Sequence, residues 1–526
     1  MSEAAARGSL GRRIVRDTAG ASLASIASQG LSLLIAAYCA AVFGATLETD
    51  AYNLAYALPL FAANVVREAI KMVFVPVLVE IRVRSPEEAG PAAASALTVV
   101  AALAAALALL VGLVAPLVLP RVAAQMPERG LRLALVLLWE SLPALPLLCL
   151  TGVLSGLLNA YRRFSWPMLV VGVEALVRGA IVYALAGPLG IHGLALANVL
   201  AALSGVLWLW WGTWKEGLRP ALTLRLHPAL VKMGRLAWLP LVGNSLLLLN
   251  PFVDRAVATR LETGSVTALG YAERINSLPW ALIGASLFTV ILSHWSELVA
   301  KEGQNGLVHA LRESLPALAF ILAPLSMLFA VLRYPLVRLI LERGHFTIRA
   351  TEMTSLALGF MALGIVPYYI AGLLARAYLA LQDTRTPVVL GIVNACLNLG
   401  LDLALVGPLG LGGIALSSAL TLTIVAMLSG LVLGRRLKGL KFCSLAWPLL
   451  RILLAAMAGA AAAASCYGAW QRAIGDGGLL RLAAGLAAAG AAGLGAYVMA
   501  ALALRLRQPK QLLGWLQHRG AEVVAG

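Results

Sequence analysis

Apolar runs long enough to cross a bilayer recur along the whole chain, separated by short polar or basic stretches. An α-helix of about 20 apolar residues spans the hydrocarbon core, and the runs are continuous rather than alternating, as transmembrane strands would be. The pattern therefore predicts an all-α polytopic membrane protein with about fourteen transmembrane helices. The predicted spans are 22–44, 51–81, 93–119, 131–158, 166–186, 190–211, 236–254, 266–296, 314–332, 353–381, 387–406, 411–434, 448–470 and 479–504.

Short motifs repeat along the chain at a fixed offset of 220 residues. The letters GPLG at Gly187–Gly190 return at Gly407–Gly410, and Pro167 returns as Pro387. Motifs that keep one register over such distances indicate two related halves, and each half holds six spans. An even number of spans brings both halves into the membrane from the same side, so the repeat is a parallel one.

The repeat and the basic stretches divide the chain into seven segments. We expect a cytoplasmic N-terminal segment, a six-helix lobe, a basic cytoplasmic linker, a second six-helix lobe, a basic cytoplasmic loop, helices thirteen and fourteen, and a cytoplasmic tail. Their bounds are 1–21, 22–211, 212–235, 236–434, 435–447, 448–504 and 505–526. Spans two and eight carry charges and are weak by hydropathy, but they occupy the same place in the two lobes.

The composition agrees with a membrane protein, because 61% of the residues are hydrophobic and only 12% are charged, against about 25% charged in soluble domains. The net charge of +17 does not indicate nucleic-acid binding, because the basic residues gather in alternate loops. Positive charge marks the cytoplasmic side of a membrane protein, so we expect both termini in the cytoplasm.

Motifs of common enzymes and metalloproteins are missing from the sequence. It contains no P-loop, no HExxH and no metal-spaced set of Cys and His, and its five cysteines form no disulfide framework. No long extramembrane loop offers room for the catalytic residues of a glycan polymerase or ligase. These observations predict a transporter without a cofactor rather than an enzyme, driven by an ion gradient, the membrane potential or the flux of its substrate.

Ionisable residues inside the predicted spans each need a reason, since one at mid-bilayer costs about 2.5–3.5 kcal/mol on insertion scales. We expect the polar faces of spans two and eight to line one cationic cavity, which would suit a phosphate-bearing substrate. The acids on these spans would orient the cations or accept a proton. The candidates are Arg67, Glu68, Lys71, Arg255, Glu273 and Arg274. Glu174 and Arg178 of span five lie four residues apart and can pair.

A second polar set consists of oxygen donors. Asn398 and Asp402 lie one helical turn apart, Ser418 is on the following helix, and Asp254 ends span seven. Two carboxylates, an amide and a hydroxyl suit a hard cation, so the sequence raises Na⁺ as a coupling ion.

Several stretches resemble motifs of the MurJ/MviN family. Leu341–Thr347 (LERGHFT) resembles its ERGxFT element, and Leu374–Pro387 (LARAYLALQDTRTP) resembles its ARAxYALxDTRTP. Gly264–Arg274 (GSVTALGYAER) resembles its GSVSALYYADR, and Thr49–Tyr52 matches the start of the family pattern. The likeness covers nearly the whole chain and is strongest from 240 to 435.

Members of this family are fourteen-helix flippases of the MOP superfamily, which carry lipid II across the bacterial inner membrane. Lipid II is a peptidoglycan precursor linked to undecaprenyl pyrophosphate. The resemblance implies a cationic cavity between two lobes, a groove for the lipid tail along helices thirteen and fourteen, and an undecaprenyl-linked glycan and membrane lipids as partners of a monomer. The matching positions are Asp254, Asn398, Asp402 and Ser418 for a sodium site, and Asp50, Glu68, Glu273 and Arg274 for acids and an arginine of the cavity.

The chain departs from the family pattern on its first two helices. The SRxxGxxR pattern of the first helix has no arginine here, since residues 28–35 read SQGLSLLI, and the NLLRR of the second becomes Phe61–Val65 with Arg67 and Lys71 shifted along. The substrate therefore stays open between lipid II and a lipid-linked exopolysaccharide or capsule repeat unit. A cation-coupled exporter of small molecules is a further alternative, although such cavities are commonly acidic or apolar.

Overall fold

The computed structural model describes residues 26–218, 225–279, 285–437, 443–475 and 477–506, with the single positions 221, 223 and 508. The predicted segment 1–21, nearly all of the tail 505–526, and parts of the linker 212–235 and the loop 435–447 lie outside the described residues. All regular secondary structure in the described part is helical, which confirms the all-α fold class.

The helices follow one another along the chain with short connections. In the described part they are α1 Ile26–Phe43, α2 Leu47–Ala69, α3 Val75–Arg84, α4 Ala89–Val122, α5 Glu128–Ser141, α6 Ala144–Ala160, α7 Ser165–Leu189, α8 Ile191–Lys215, α9 Ala229–Ala258, α10 Ser265–Asn276, α11 Ala285–Val331, α12 Arg333–Leu341, α13 Ile348–Ala362, α14 Ile365–Ala380, α15 Arg385–Leu409, α16 Leu411–Arg436, α17 Cys443–Ala473 and α18 Leu479–Ala503.

Many of these helices are long and apolar enough to cross a membrane. Counting the described residues only, there are nine such helices, or eleven if each of two bent pairs is one span. The polytopic class is therefore confirmed, and the number fourteen stays a prediction. The bent pairs are α5 with α6 and α13 with α14, which turn by 41° and 43° at breaks that contain Pro143 and Gly364.

Helices α7 and α15, which the predicted repeat relates to each other, have matching bounds and backbone angles. Helices α7 and α15 each contain 25 residues, and each ends at a glycine in the same conformation, φ 54° and ψ −133° at Gly190 and φ 54° and ψ −132° at Gly410. A positive φ ends a helix and favours glycine. In the turns that precede the two helices, Arg162 and Gln382 also share a positive φ, 61° and 58°.

Spans two and eight are not the continuous helices that hydropathy predicts. Where one helix over 51–81 is predicted, α2 and α3 are joined by a π-helical turn, Ile70–Phe74. Where one helix over 266–296 is predicted, α10 ends at Asn276, just before Pro279, whose ring cannot continue a hydrogen-bond ladder. Helix α11 changes direction at Gly303, where φ is 66° and ψ is −153°.

The chain divides into two compact units. The first holds α1 to α9, the first half of α10 and the loop Arg343–Ala350, and the second holds the rest of α10 and the other helices from α11 to α18. Each unit has its own core, rich in alanine. Small residues in these cores allow the helices to approach closely. The predicted lobe bounds, 22–211 and 236–434, stay a prediction.

The loop that carries the ERGxFT-like stretch packs on the end of α1 within the first unit. The His345 backbone N–H donates to the Ala41 carbonyl at 2.7 Å. Gly44 and Gly344 both have a positive φ, 65° and 57°, and a Cβ on either glycine would overlap a backbone carbonyl oxygen of the opposite segment. The close approach of two backbones therefore requires glycine at both positions.

Gly344→Ala should destabilise the protein more than Gly190→Ala. Both variants place alanine at nearly the same positive φ, in a region that costs residues other than glycine about 1–3 kcal/mol, but open space surrounds Gly190. At Gly344 we expect a total cost of about 2–4 kcal/mol, because the loop must also move away from α1. Melting temperatures in detergent would show the difference, and equal losses in the two variants would contradict the tight docking.

Candidate substrate and ion sites

Asp50, near the start of α2, caps the N-terminus of α10. Its side chain is 4% exposed. Oδ2 accepts a hydrogen bond from the Gly264 N–H at 2.6 Å, and Oδ1 accepts from the Thr267 N–H at 2.8 Å and the Thr267 hydroxyl at 2.7 Å. A helix N-terminus presents unpaired N–H groups and the positive end of the dipole, and both stabilise a carboxylate. Asp50 thus joins two of the family-like stretches.

The sequence placed Asp50 in the cavity with Arg255, Glu273 and Arg274. Both oxygens of Asp50 are engaged by α10, so its role in this structure is to position that helix. Glu273 and Arg274 lie near the other end of α10 and are half-buried. Arg255 is half-buried in the last turn of α9, in the first unit. Contact of these four residues with a substrate stays a prediction.

Glu68 and Lys71 form an ion pair at the π turn between α2 and α3. Lys71 Nζ lies 2.6 Å from Glu68 Oε1, and their side chains are 60% and 36% exposed, respectively. An ammonium group has three donors, so Lys71 can bind an anion while it keeps its bond to Glu68. A π turn redirects side chains relative to a regular helix and is frequent at functional sites.

Arg67 lies four residues before Lys71 but has different surroundings. Its side chain packs on α6, where a Cβ on Gly152 would lie 3.0 Å from Arg67 Cγ. Its charge acts on Cys149 and on Glu174, so it belongs to the interior of the first unit. The predicted common face of Arg67 and Lys71 assumes a regular helix, whereas the π turn that begins at Ile70 rotates Lys71 away.

The candidate cation ligands of the second unit meet around Asp402. This carboxylate is fully buried and accepts hydrogen bonds from Asn398 Nδ2 at 3.0 Å and from the Ser417 hydroxyl. Ser418, the serine named from the sequence, has its hydroxyl 3.4 Å from a carbonyl of its own helix. Asp254 is buried in the first unit. The structure therefore brings Asn398 and Asp402 together and adds Ser417.

Metal sites built from charged or sulfur ligands do not occur in the part of the chain that the structure describes. No group of three or more His, Cys, Asp and Glu side chains there could hold a metal ion. A cation beside Asp402 would therefore depend on amide and hydroxyl oxygens, which suit a hard, singly charged ion better than a transition metal.

The DTRTP-like turn between α14 and α15 is held by Asp383. Its carboxylate accepts from the Thr386 N–H at 3.1 Å and the Thr386 hydroxyl at 2.6 Å, and it pairs with Arg436. Burial alone would raise the pKa of Asp383, but these donors hold the pKa below its ordinary value. Tyr378 is fully buried and donates to the Ser429 carbonyl at 2.7 Å. This motif therefore fastens α14, α15 and α16 to one another.

Two features of the sites were missed from the sequence, namely Ser417 and the π turn. Counted from the turn at Gly410, residues 417 and 418 both lie at the height of Asp402, and only the rotation of α16 decides which serine faces it. The signal for the π turn is Pro76. A proline offers no N–H to the carbonyl four residues before it, and the freed carbonyl favours a wider turn.

The sequence of the chain is similar to those of known proteins. The family model described as "Lipid II flippase MurJ" matches residues 39–480. The chain is similar to the lipid II flippase MurJ of Burkholderia cenocepacia, with 27% identity over 420 residues, which cover 78% of this chain and 81% of that protein.

Solved structures show the same fold. A lipid II flippase MurJ in an inward closed conformation is similar with a TM-score of 0.75 and 22% identity, covering 92% of this chain and 98% of its own. An inward-facing multidrug resistance transporter of the MATE family, in the MOP superfamily, has a TM-score of 0.63 and 17% identity, covering 79% and 95%. The chain therefore has the fold of both groups and most resembles the first of these two in structure.

Proposed function

Because the chain belongs to the MurJ family of lipid II flippases, we propose that it moves a pyrophosphate-linked glycan lipid across the bacterial inner membrane, with lipid II as the first candidate. Family membership makes it a transporter rather than an enzyme, as the sequence predicted. The observation that carries the proposal is the extent of the family match, residues 39–480, which includes both charged helices α2 and α10.

A flippase is needed because the headgroup of such a lipid cannot cross a bilayer alone. Each glycan hydroxyl without a partner in an apolar phase costs roughly 2–7 kcal/mol, and a charged pyrophosphate costs far more. A polar cavity with an opening for the lipid tail removes most of this cost. We expect the cavity to open alternately to the two sides of the membrane, and both termini to lie in the cytoplasm.

We assign the anionic end of the substrate to Lys71, Arg255 and Arg274. The exposure of Lys71 and its bond to Glu68 support its part in this assignment, because a cation held by one acid is oriented and still has free donors. To Glu273 we assign the orientation of this substrate-binding arginine, Arg274. We assign structural roles that support this site to the two remaining residues. Arg67 holds α2 against α6, and Asp50 caps α10.

The undecaprenyl tail is assigned to α17 and α18. These helices pack tightly, since a Cβ on Gly459 would lie only 2.7 Å from the Gly493 carbonyl oxygen. Their outer faces expose apolar side chains, among them Met457 at 54% and Met499 at 69%. Such an apolar surface would let the tail stay in lipid while the headgroup moves.

A lipid-linked exopolysaccharide or capsule repeat unit is the second candidate substrate. The observation that favours it is α1, which contains no lysine or arginine. Ser28 of this helix packs on α7, where a Cβ on Gly172 would lie 3.0 Å from its hydroxyl oxygen. A cavity with fewer cations could accept a different headgroup. The likeness to a multidrug transporter is one of fold and does not favour export of small molecules.

We further propose that Na⁺ or the membrane potential drives the cycle. The buried Asp402, with amide and hydroxyl oxygens beside it, fits a hard cation, which would supply the charge that neutralises this carboxylate. Each elementary charge that crosses the membrane is worth about 2.3 kcal/mol per 100 mV. The candidate ligands are those predicted from the sequence, with one addition: Asp254, Asn398, Asp402 and Ser418, and Ser417.

Replacement of a host's own flippase tests the substrate. We expect this chain, expressed in a bacterium depleted of its lipid II flippase, to restore growth and cell shape. Detection of the chain in the inner membrane is the control. If the inserted protein fails to restore growth, and deletion of its gene in its own host removes a surface polysaccharide, the second candidate replaces the first.

A further inference from the structure

A further group of charges lies inside the first unit and includes Arg67, to which we have assigned the support of the substrate site. Glu174 and Arg178 stand one turn apart on α7, and Arg67 approaches from α2. Arg67 and Arg178 are the cations whose charge acts on the Glu174 carboxyl. Cys149 of α6 is the further titratable group near Arg67. Helix α8, which packs along α7, contributes Gly205 and has no ionisable residue from 193 to 214.

Two polar atoms of this group have no hydrogen-bond partner. Glu174 Oε1 and Arg178 Nε are both buried, and neither finds a donor or acceptor among the described residues. Their four-residue spacing predicted an ion pair, yet these two atoms do not make it. Buried polar groups are nearly always satisfied, so these two unpartnered atoms, on side chains one helical turn apart, require an explanation.

The carboxyl of Glu174 is pressed against the backbone of α8. A Cβ on Gly205 would overlap Glu174 Oε1, so a larger residue there would displace the carboxyl from this position. Burial of an ionised carboxylate oxygen without a hydrogen bond is far more costly than burial of the neutral acid. Arg67 and Arg178 oppose this by favouring the charged form. The protonation of Glu174 therefore depends on where the two guanidinium groups lie.

The repeat relates this group to the cation site of the other unit. Glu174 and Arg178 correspond to Asn394 and Asn398, and Asn398 donates to Asp402. Val182, which is fully buried, takes the position of Asp402. Each half thus keeps one acid on this helix, but the two acids stand two helical turns apart in the repeat. In the first half the acid lies near arginines. Their positive charge repels a metal cation, whereas a protonated carboxyl is neutral and is not repelled.

We propose that Glu174 is a proton-binding site, which takes up one proton in one part of the transport cycle and releases it in another. Arg67 belongs to α2, whereas Glu174 and Arg178 belong to α7. Movement of α2 against α7 therefore changes the positive charge at the carboxyl and drives release or uptake. This role in a cycle rests on the proposed transport function, but the binding of the proton can be measured without any substrate.

Infrared difference spectra of the purified full-length protein between high and low pH test the binding directly. Wild type should show the carbonyl band of a protonated carboxylic acid at the high frequency typical of a group without strong hydrogen bonds. Glu174→Gln should remove this band, and the control Glu128→Gln, which changes an exposed acid paired with Arg132, should leave it. Arg178→Gln should let the band persist to a higher pH.

Transport into proteoliposomes with an imposed pH gradient tests the use of the proton. The gradient should accelerate lipid translocation by wild type and Glu128→Gln but not by Glu174→Gln, while translocation without a gradient persists in all three. A high-frequency band retained in Glu174→Gln, or an unchanged response of Glu174→Gln to the gradient, would overturn the proposal. The band in a wild-type protein that moves no lipid would support the proton site and reject the transport function.

Discussion

Replacement of Asp50 by alanine should destabilise the protein by about 3–5 kcal/mol, because it removes a buried charged acceptor that several donors share. The N–H groups of Gly264 and Thr267, at 2.6 and 2.8 Å from the carboxylate, would be left unsatisfied at the start of α10. We expect little monomeric protein to survive extraction into detergent, measured by size-exclusion chromatography and by melting temperature.

Two further variants should lose less stability than Asp50→Ala. Asp50→Asn keeps one acceptor but turns a donor towards an N–H, so it should lose about half as much stability as the alanine variant. Thr267→Val keeps the backbone bond and removes only the hydroxyl, which also accepts from Asn53 Nδ2 at 3.0 Å; we expect a loss of about 1 kcal/mol. A melting temperature for Asp50→Ala equal to that of wild type would contradict the cap.

Lys71→Gln should reduce transport at low substrate concentration by about 10- to 100-fold and leave stability nearly unchanged. A charged hydrogen bond to an anion is worth about 1.5–3 kcal/mol, and each 1.4 kcal/mol corresponds to about a factor of ten. The ion pair with Glu68 is exposed, so its loss alters stability by about 1 kcal/mol at most. Initial rates in proteoliposomes and the melting temperature measure the two effects separately.

Lys301→Gln is the matched control for this variant. Lys301 also holds a glutamate at 2.6 Å, and its side chain is 70% exposed, but it lies at the polar turn within α11. Its replacement should leave transport at the wild-type rate. If Lys301→Gln and Lys71→Gln were equally active, the assignment of Lys71 to the substrate would be wrong.

Helical fold and repeat were both readable from the sequence, because long apolar runs and glycine turns are local signals. The pair Gly190 and Gly410 shows this well, since a glycine after a Pro-Leu step predicts a helix end in both halves, and both adopt the same positive φ. The breaks at Ile70–Phe74 and after Asn276 could not be read from hydropathy, which does not register hydrogen bonds displaced by Pro76 and Pro279.

The candidate sites were readable only in part. Residue types and spacing indicated that Asp402 and Asn398 lie together, and they do. The side chain of Asp50 was assigned by resemblance to a cavity, whereas its partners Gly264 and Thr267 are more than 200 positions away and become apparent only when the chain folds. For Glu174, the four-residue spacing indicated only that an ion pair with Arg178 is possible. The spacing contains no information about the neighbouring helix α8, where Gly205 leaves room for the carboxyl.

Translocation of fluorescent lipid II in proteoliposomes measures the proposed flippase activity itself, since a membrane-impermeant quencher reports the label exposed on the outer leaflet. We predict that the wild-type protein and Lys301→Gln raise the rate of exposure well above that of protein-free vesicles. Lys71→Gln and Arg274→Ala should fall to near the protein-free rate while they remain folded. A wild-type rate equal to that of protein-free vesicles, for lipid II and for other pyrophosphate-linked glycan lipids alike, would contradict the account.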